Sequence, residues 1–270
     1  MKLTVLLDNN TYIDEYYLGE PGVSYLIEDG DTKILMDTGY SGVFLDNAEK
    51  LKVDLSDLDV LVLSHGHNDH TGGLSRFFES GDRSRVTLVA HPKALDRKFS
   101  DGEEIGSFLR RTEIAGKCRL LQSQTPLKLS ERVTWLGEIP RTVEFEEPYA
   151  IGETESAGVR RPDYVMDDSA LIYNGEKGLY VITGCSHSGV CNILEYAMKV
   201  SGARRVQGLI GGFHLFNDHS PRTAGTVSYI QKLNIPELYP CHCTSFAVRA
   251  SIHRALPVKE VGVGLTLVWE

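Results

Sequence analysis

Ser64-His65-Gly66-His67-Asn68-Asp69-His70-Thr71-Gly72-Gly73 is the stretch from which the rest of the chain can be read. Three histidines and one aspartate fall within six residues, directly after the apolar run Val60-Leu61-Val62-Leu63. Such runs form strands buried on both faces, with further layers packed on each side. The ends of buried strands are where α/β layers build their sites. Imidazole and carboxylate together are ligands for zinc, iron or manganese. His65 and His67 are two apart, so in extended backbone they point the same way. Asp69 and His70 come after the chain turns and can face a second metal beside the first. A histidine-rich surface loop is the plain alternative, and one histidine alone would favour it. Four ligand-type residues at this spacing, after an apolar strand, reverse that balance.

Working outward, strands are expected over 3–8, 23–28 and 33–37, with a hairpin turn at Glu28-Asp29-Gly30-Asp31. A helix is expected over 41–51 with Ser41 as its cap, and another over 71–79. Buried strands are expected over 59–64 and 86–90, with shorter ones over 117–121 and 132–136. Residues 92–116 read as mixed and partly helical. A long polar stretch over 137–168 has weak periodicity, and loops of that length are usually functional or mobile. Beyond it, strands over 169–173, 179–183, 205–210, 238–241 and 265–269 alternate with helices over 189–200, 221–233 and 244–256. Pro221 suits a helix start. The pattern is one layered α/β domain over 1–270, two sheets between helices, with a lid over 141–167.

The chain has 270 residues, enough for a large core. Apolar residues make up 41% and charged residues 24%, an ordinary globular balance that excludes global disorder. The net charge of −9 argues against a general nucleic-acid binder, which needs a basic surface. No apolar run approaches the ~20 residues of a membrane span. The apolar part of the N-terminus is too short for a signal peptide, so a cytoplasmic protein is expected. Five cysteines, an odd number in a long chain, read as reduced thiols rather than a disulfide framework.

His65-x-His67-x-Asp69-His70 resembles the signature of the metallo-β-lactamase fold superfamily. Leu35-Met36-Asp37-Thr38-Gly39, Thr183-Gly184-Cys185-Ser186-His187-Ser188-Gly189 and Pro240-Cys241-His242-Cys243-Thr244 follow in the order of that family. With Asp8-Asn9, Gly137-Glu138-Ile139-Pro140-Arg141 and Gly212-Phe213-His214-Leu215, the set is similar to a subgroup of metal-dependent hydrolases. That subgroup includes dihydropterin–ribofuranosylaminobenzene 5'-phosphate synthase-like proteins. The resemblance implies a four-layer αββα sandwich and two divalent metal ions, zinc first, with iron or manganese as alternatives. It implies a first metal site of His65, His67 and a third histidine. None lies between His91 and His187, so His187 takes that place. The second site would use Asp69, His70 and His242. Where the family usually has a bridging aspartate stands Cys185, which could ligate as a thiolate. Asp37 would orient a ligand imidazole from behind.

The implied activity is hydrolysis. A water activated between the metals attacks a carbonyl or phosphoryl centre of a small, anionic molecule. Asp69 and His214 are the candidate catalytic groups, Asp69 steering the nucleophile. Asp8, Asn9, Arg141, Arg160 and Arg161 are candidates for substrate contact, arginines being good partners for phosphate and carboxylate. The alternative is a pterin-type synthase that joins a phosphoribosyl aromatic to a dihydropterin and releases pyrophosphate. A nucleophile elbow at Cys185 or Ser186 would also suit the strand-to-helix context, but the glycine spacing differs and the His65 cluster is left unused. A purely structural metal would call for a closed, cysteine-rich set. His91 is expected to be structural, His219 and His253 to lie on the surface. Cys241 and Cys243 are expected to point away from His242 as packed thiols. Cys118 and Cys191 carry no signal.

Overall fold

A computed structural model describes all of residues 1–270. Alternation along the strands explains the layering. In Val60–Val62, Val62 points into one hydrophobic core and Leu61, with Leu63 just beyond, into another. In Gly178–Thr183, Tyr180 and Ile182 face the first core while Leu179 and Val181 face a third. Successive side chains leave opposite faces of a strand, so each of these strands has cover on both sides.

Two sheets result. The first has seven strands, ordered Thr266–Val268, Lys2–Leu7, Ser24–Asp29, Thr32–Met36, Val60–Val62, Thr87–Ala90 and Arg119–Gln122. The second has six, ordered Glu237–Pro240, Val206–Gly211, Gly178–Thr183, Ala170–Gly175, Val133–Trp135 and Leu127–Lys128. The core shared by the sheets is rich in aromatics, with Tyr25, Trp135, Tyr173, Tyr180 and Trp269 buried in it. Helices Val43–Lys50, Leu74–Glu79 and Arg111–Ala115 cover the first sheet through Phe44, Phe77 and Ile114. Helices Val190–Ser201, Pro221–Leu233 and Phe246–Ala255 cover the second through Ile193, Ile230 and Ile252. Three cores separate four layers, αββα, as expected. No helix is long and apolar enough to cross a membrane.

The strands Thr32–Met36, Val60–Val62, Thr87–Ala90 and Arg119–Gln122 run parallel. So do Gly178–Thr183, Val206–Gly211 and Glu237–Pro240. Each parallel set therefore opens its C-terminal ends on one side, and there the loops of the two sheets meet.

Several expectations need correction. The helix over 71–79 is two short pieces, Asn68–Thr71 and Leu74–Glu79. Gly72 and Gly73 join them because a Cβ there would lie 2.2 Å from the carbonyl oxygens of Tyr40 and Thr38. Gly42, not Ser41, takes the cap position of the helix Val43–Lys50. Ser41 Oγ accepts Val43 N–H at 3.3 Å from one residue further out and donates to Glu20 Oε2 at 2.7 Å. The polar stretch holds regular structure. The hairpin Glu153–Ser156 and Val159–Pro162 pairs with Arg97–Ser100 and Glu103–Glu104 in a separate four-stranded sheet.

Candidate metal centre

Every residue of the site follows the end of a strand, in a loop or, for Asp69 and His70, in the short helix Asn68–Thr71. Asp37 follows Thr32–Met36, Ser64 to His70 follow Val60–Val62, Cys185 and His187 follow Gly178–Thr183, and His242 follows Glu237–Pro240. The two halves meet closely at Gly184, where a Cβ would lie 2.2 Å from Ser64 Oγ and 3.2 Å from Asp37 Oδ2. Only glycine lets the second sheet's loop approach the first.

Two donor sets share one cleft. In the first, His65 Nε2 lies 3.0 Å from His67 Nδ1 and 3.2 Å from His187 Nε2. The His65 ring is held from behind by Ser64 Oγ, 3.0 Å from His65 Nδ1, which aims the Nε2 edge inward, whereas His67 Nε2 and His187 Nδ1 are buried without a partner. In the second, Cys185 Sγ is 3.1 Å from His70 Nε2 and 3.2 Å from His242 Nε2. Asp69 Oδ2 is 3.6 Å from His70 Nε2 and 3.4 Å from His242 Nε2. Asp69, His70, Cys185 and His242 thus bring four ligand atoms within 4.8 Å of one another, and His65, Cys185 and His187 bring three.

Asp37 stands behind both sets. One carboxylate oxygen accepts Ser64 N–H at 2.7 Å, and the other accepts Ser64 Oγ–H at 2.6 Å and faces His70 Nδ1 at 2.7 Å. His242 Nδ1 faces Asn9 Oδ1 at 2.7 Å. These contacts would keep a proton on the outer nitrogen of His70 and His242 while a metal replaces the proton on the inner one, the arrangement a metal ligand needs.

Electrostatics fit a cation. Burial, reinforced by the charges of His70 and its neighbours, keeps His65 well below its ordinary pKa. Burial and Lys98 hold His67 down to about 3. Burial and His214 hold His187 well down. Three neutral imidazoles thus crowd together, with His65 Nε2 facing both His67 Nδ1 and His187 Nε2. In the second set burial opposes charge, yet the pull of Asp69 and Asp37 raises His70 to about 9. Burial also opposes ionisation of Asp69, and His70 with His242 outweighs it, so its carboxyl falls well below the usual range. The set draws positive charge. Nitrogen, oxygen and one sulfur donor are the chemistry of zinc or iron sites. The residues present therefore fit a metal in each set.

Other predicted residues fall elsewhere. Asn9 lines the cleft but is engaged behind His242, an orienting position rather than a free substrate contact. Asp8 is buried, and its Oδ1 accepts Asn10 N–H at 3.0 Å, so it is closed to substrate. Arg141 donates to the carbonyls of Tyr164 and Val165 at 2.5 and 2.9 Å and pins the polar segment. Arg160 pairs with Glu155 at 3.3 Å and Glu153 at 3.8 Å on the third sheet. Arg161 lines a separate cavity with Lys93 and Arg111. None of the three arginines lines the metal cleft. His214 does line it. His91 is wholly buried against Glu138 at 3.0 Å, in keeping with a structural role.

Cys241 is packed as expected, 3.3 Å from Tyr25 Oη. Cys243 is not: it lines the cleft beside His242. Alternation holds only in an extended chain, and His242 has φ +48°, so it breaks there. Burial opposes ionisation of Cys243, and a hydrogen bond from Cys185 with the nearby His242 brings its pKa down. Ser186, the elbow alternative, has φ +61° but its hydroxyl donates to Gly212 O at 2.6 Å and is buried. Residues that sequence reasoning missed include Lys98, Asp163 and Asp167. Lys98 Nζ sits 2.7 Å from Asp163 Oδ2 and 2.9 Å from Asp167 Oδ1, and Asp167 Oδ2 accepts Gly66 N–H at 2.7 Å. The polar segment thereby holds the backbone between His65 and His67. The acidic cluster Asp163, Asp167, Asp168 was the available signal.

A fold of four αββα layers with a histidine, aspartate and cysteine cleft at its loop edge defines a class of metal-dependent enzymes. The profile of the metallo-beta-lactamase superfamily matches residues 18–199, and the chain belongs to that superfamily. It is 31% identical over 263 residues to the 7,8-dihydropterin-6-methyl-4-(beta-D-ribofuranosyl)-aminobenzene-5'-phosphate synthase of Methanocaldococcus jannaschii, covering 91% of this chain and 88% of that one. Among solved structures it is similar to a metal-dependent hydrolase of the beta-lactamase superfamily, with 29% identity, TM-score 0.86 and full coverage of both chains. The metallo-beta-lactamase fold protein YhfI from Bacillus subtilis shares the fold, at 16% identity and TM-score 0.58 over 99% of each chain.

Proposed function

We propose that the chain is a metal-dependent hydrolase of a small, anionic molecule, formed as one domain over 1–270. The observation that carries the reading is the pair of donor sets in one cleft, His65 facing both His67 and His187, and beside them Asp69, His70, Cys185 and His242. Two divalent cations held there, zinc first, would supply Lewis acidity and a water of lowered pKa. Asp69, beside His242, orients the attacking water. The water oxygen bonds to the carbonyl or phosphoryl centre as the bond to the leaving group breaks, and the proton released by the water passes to the leaving group. His214, above His187 with ring centroids 4.3 Å apart, faces the oxygen on which charge develops. Tyr40 and Phe216 stand exposed at the mouth of the cleft and would flank the bound molecule. A cytoplasmic setting suits five free cysteines.

A second reading is a synthase that joins a phosphoribosyl aromatic to a dihydropterin with loss of pyrophosphate. The likeness to the archaeal synthase over 91% of this chain favours it. One experiment separates the two. Metal-replete protein is given bis(p-nitrophenyl) phosphate and p-nitrophenyl acetate, and separately a dihydropterin pyrophosphate with ribofuranosylaminobenzene 5'-phosphate. Chelator-sensitive nitrophenol release supports hydrolysis. Pyrophosphate release that requires both pterin and arylamine supports the synthase. Neither product would refute both readings.

A further inference from the structure

Tyr149 lies in the polar segment, between the short turn Glu144–Glu146 and the strand Glu153–Ser156. Its phenol oxygen is 2.8 Å from His214 Nδ1, the one hydrogen bond that the His214 ring makes. The His214 ring lies against His187 and, at 4.8 Å between centroids, edge-on to Phe216. It lines the cleft of about 580 Å³ that also exposes Asp69, Cys185 and His242. Its backbone is fixed too: φ is +49°, and the His214 N–H donates to Cys243 Sγ at 3.3 Å. Tyr149 is held in turn. The Arg222 guanidinium lies 5.3 Å from its ring centroid and donates to Glu147 O at 3.1 Å.

We propose that Tyr149 is a positioning residue that fixes His214 as the tautomer with its proton on Nε2, so that the ring presents a donor to the metal cleft. The inference rests on the metal-enzyme reading above for the use made of that donor. A neutral imidazole carries one proton and one lone pair. A phenol is a good donor and a poor acceptor, whereas a bare ring nitrogen is a good acceptor. With Tyr149 Oη–H donating to Nδ1, the proton sits on Nε2, the ring nitrogen left without a protein partner. A donor set in place before charge develops needs no reorganisation, and removing one costs about 100- to 1000-fold in rate in other acyl-transfer sites. The opposite tautomer would make Nε2 a base or a further metal ligand, a different chemistry. Because Tyr149 belongs to the polar segment, that segment contributes to the site through a side chain it places there.

The test uses full-length, zinc-replete protein, labelled with ¹⁵N at histidine. Long-range ¹H–¹⁵N spectra read the tautomer directly, with His214→Gln to assign the signal. The expected wild-type result is Nε2–H at His214. Tyr149→Phe should give a mixture of tautomers with metal content unchanged. It should also lower kcat about tenfold, with little change in KM, on whichever probe above is turned over. Nδ1–H in the wild type, or an unchanged tautomer in Tyr149→Phe, overturns the proposal. Wild-type protein that turns over no probe refutes the functional reading, while the spectrum still decides the tautomer.

Discussion

Replacing Asp37 by asparagine isolates the support behind the candidate metals. Asp37 has φ +60°, a conformation asparagine tolerates, so backbone strain stays nearly constant. The carboxylate is fully buried and receives Ser64 N–H, Ser64 Oγ–H and the contact from His70 Nδ1. An amide has one oxygen and one NH₂. If the NH₂ replaces the oxygen facing Ser64 N–H, two donors meet. If it replaces the other, it meets His70 Nδ1–H, and Ser64 Oγ can turn to accept. Either way one buried donor is left unmade, at a cost of about 1–3 kcal/mol. The second orientation is the cheaper, because the ring can shift its proton to Nε2. That shift removes the lone pair that faces Cys185 and Asp69. Changes of this kind behind a ligand weaken metal binding about 10- to 100-fold, about 1.4–2.8 kcal/mol. The assay is competition against a chromogenic zinc chelator, with thermal unfolding of the metal-free protein alongside. The weaker-bound metal should lose affinity in that range. Unchanged affinity for both metals would refute the role given to Asp37.

Cys185→Ser should weaken the metal of the second set most, read as loss of about one equivalent in elemental analysis, and lower the affinity of the first, because Cys185 also groups with His65 and His187. Arg160→Ala should leave kcat and KM unchanged and stability within about 1 kcal/mol, because its partners Glu153 and Glu155 lie on the outer sheet. Lys98→Met should destabilise by about 3–5 kcal/mol in urea unfolding, since it strands two buried carboxylates. The same pair gives a pH dependence. Burial opposes the charge on Asp167, but Lys98 outweighs it and lowers its pKa, so its stabilisation is present above about pH 4 and is lost as pH falls. Lys98 is buried too, yet its carboxylates raise its pKa, so its share is present below about pH 10.4 and is lost as pH rises through its folded value. The acid limb should be missing in Lys98→Met.

The parts of the fold that were legible are those where one side chain decides a face. Val60-Leu61-Val62-Leu63 and the strands around Tyr180 and Leu209 alternate between two cores, and their apolar runs announce it. Pro221 starts its helix, capped by Ser220 as acceptor of Thr223 N–H at 3.1 Å. The third sheet left no such trace. Glu153–Ser156 and Val159–Pro162 are largely exposed, so no apolar period marks them, and their pairing with Arg97–Ser100 joins segments more than fifty residues apart. Within the site, the cluster from His65 to His70 was legible because ligand types crowd together, and Asp37 because of its place after a strand. Cys243 was not, because the left-handed turn at His242 cancels the alternation on which its reading depended. Arg141, Arg160 and Arg161 misled for the opposite reason. Charge near a site in sequence gives no direction in space, and each found a partner or a cavity outside the cleft.

The central claim is that His65, His67 and His187 hold one metal and Asp69, His70, Cys185 and His242 another. The most direct measurement is elemental analysis of purified full-length protein, with His187→Ala and His70→Ala beside the wild type and folding checked by circular dichroism. The account predicts about two equivalents in the wild type, as in two-metal hydrolytic sites, and the loss of about one in each variant. A folded, active wild type with no bound metal would contradict it, as would variants that keep the full complement.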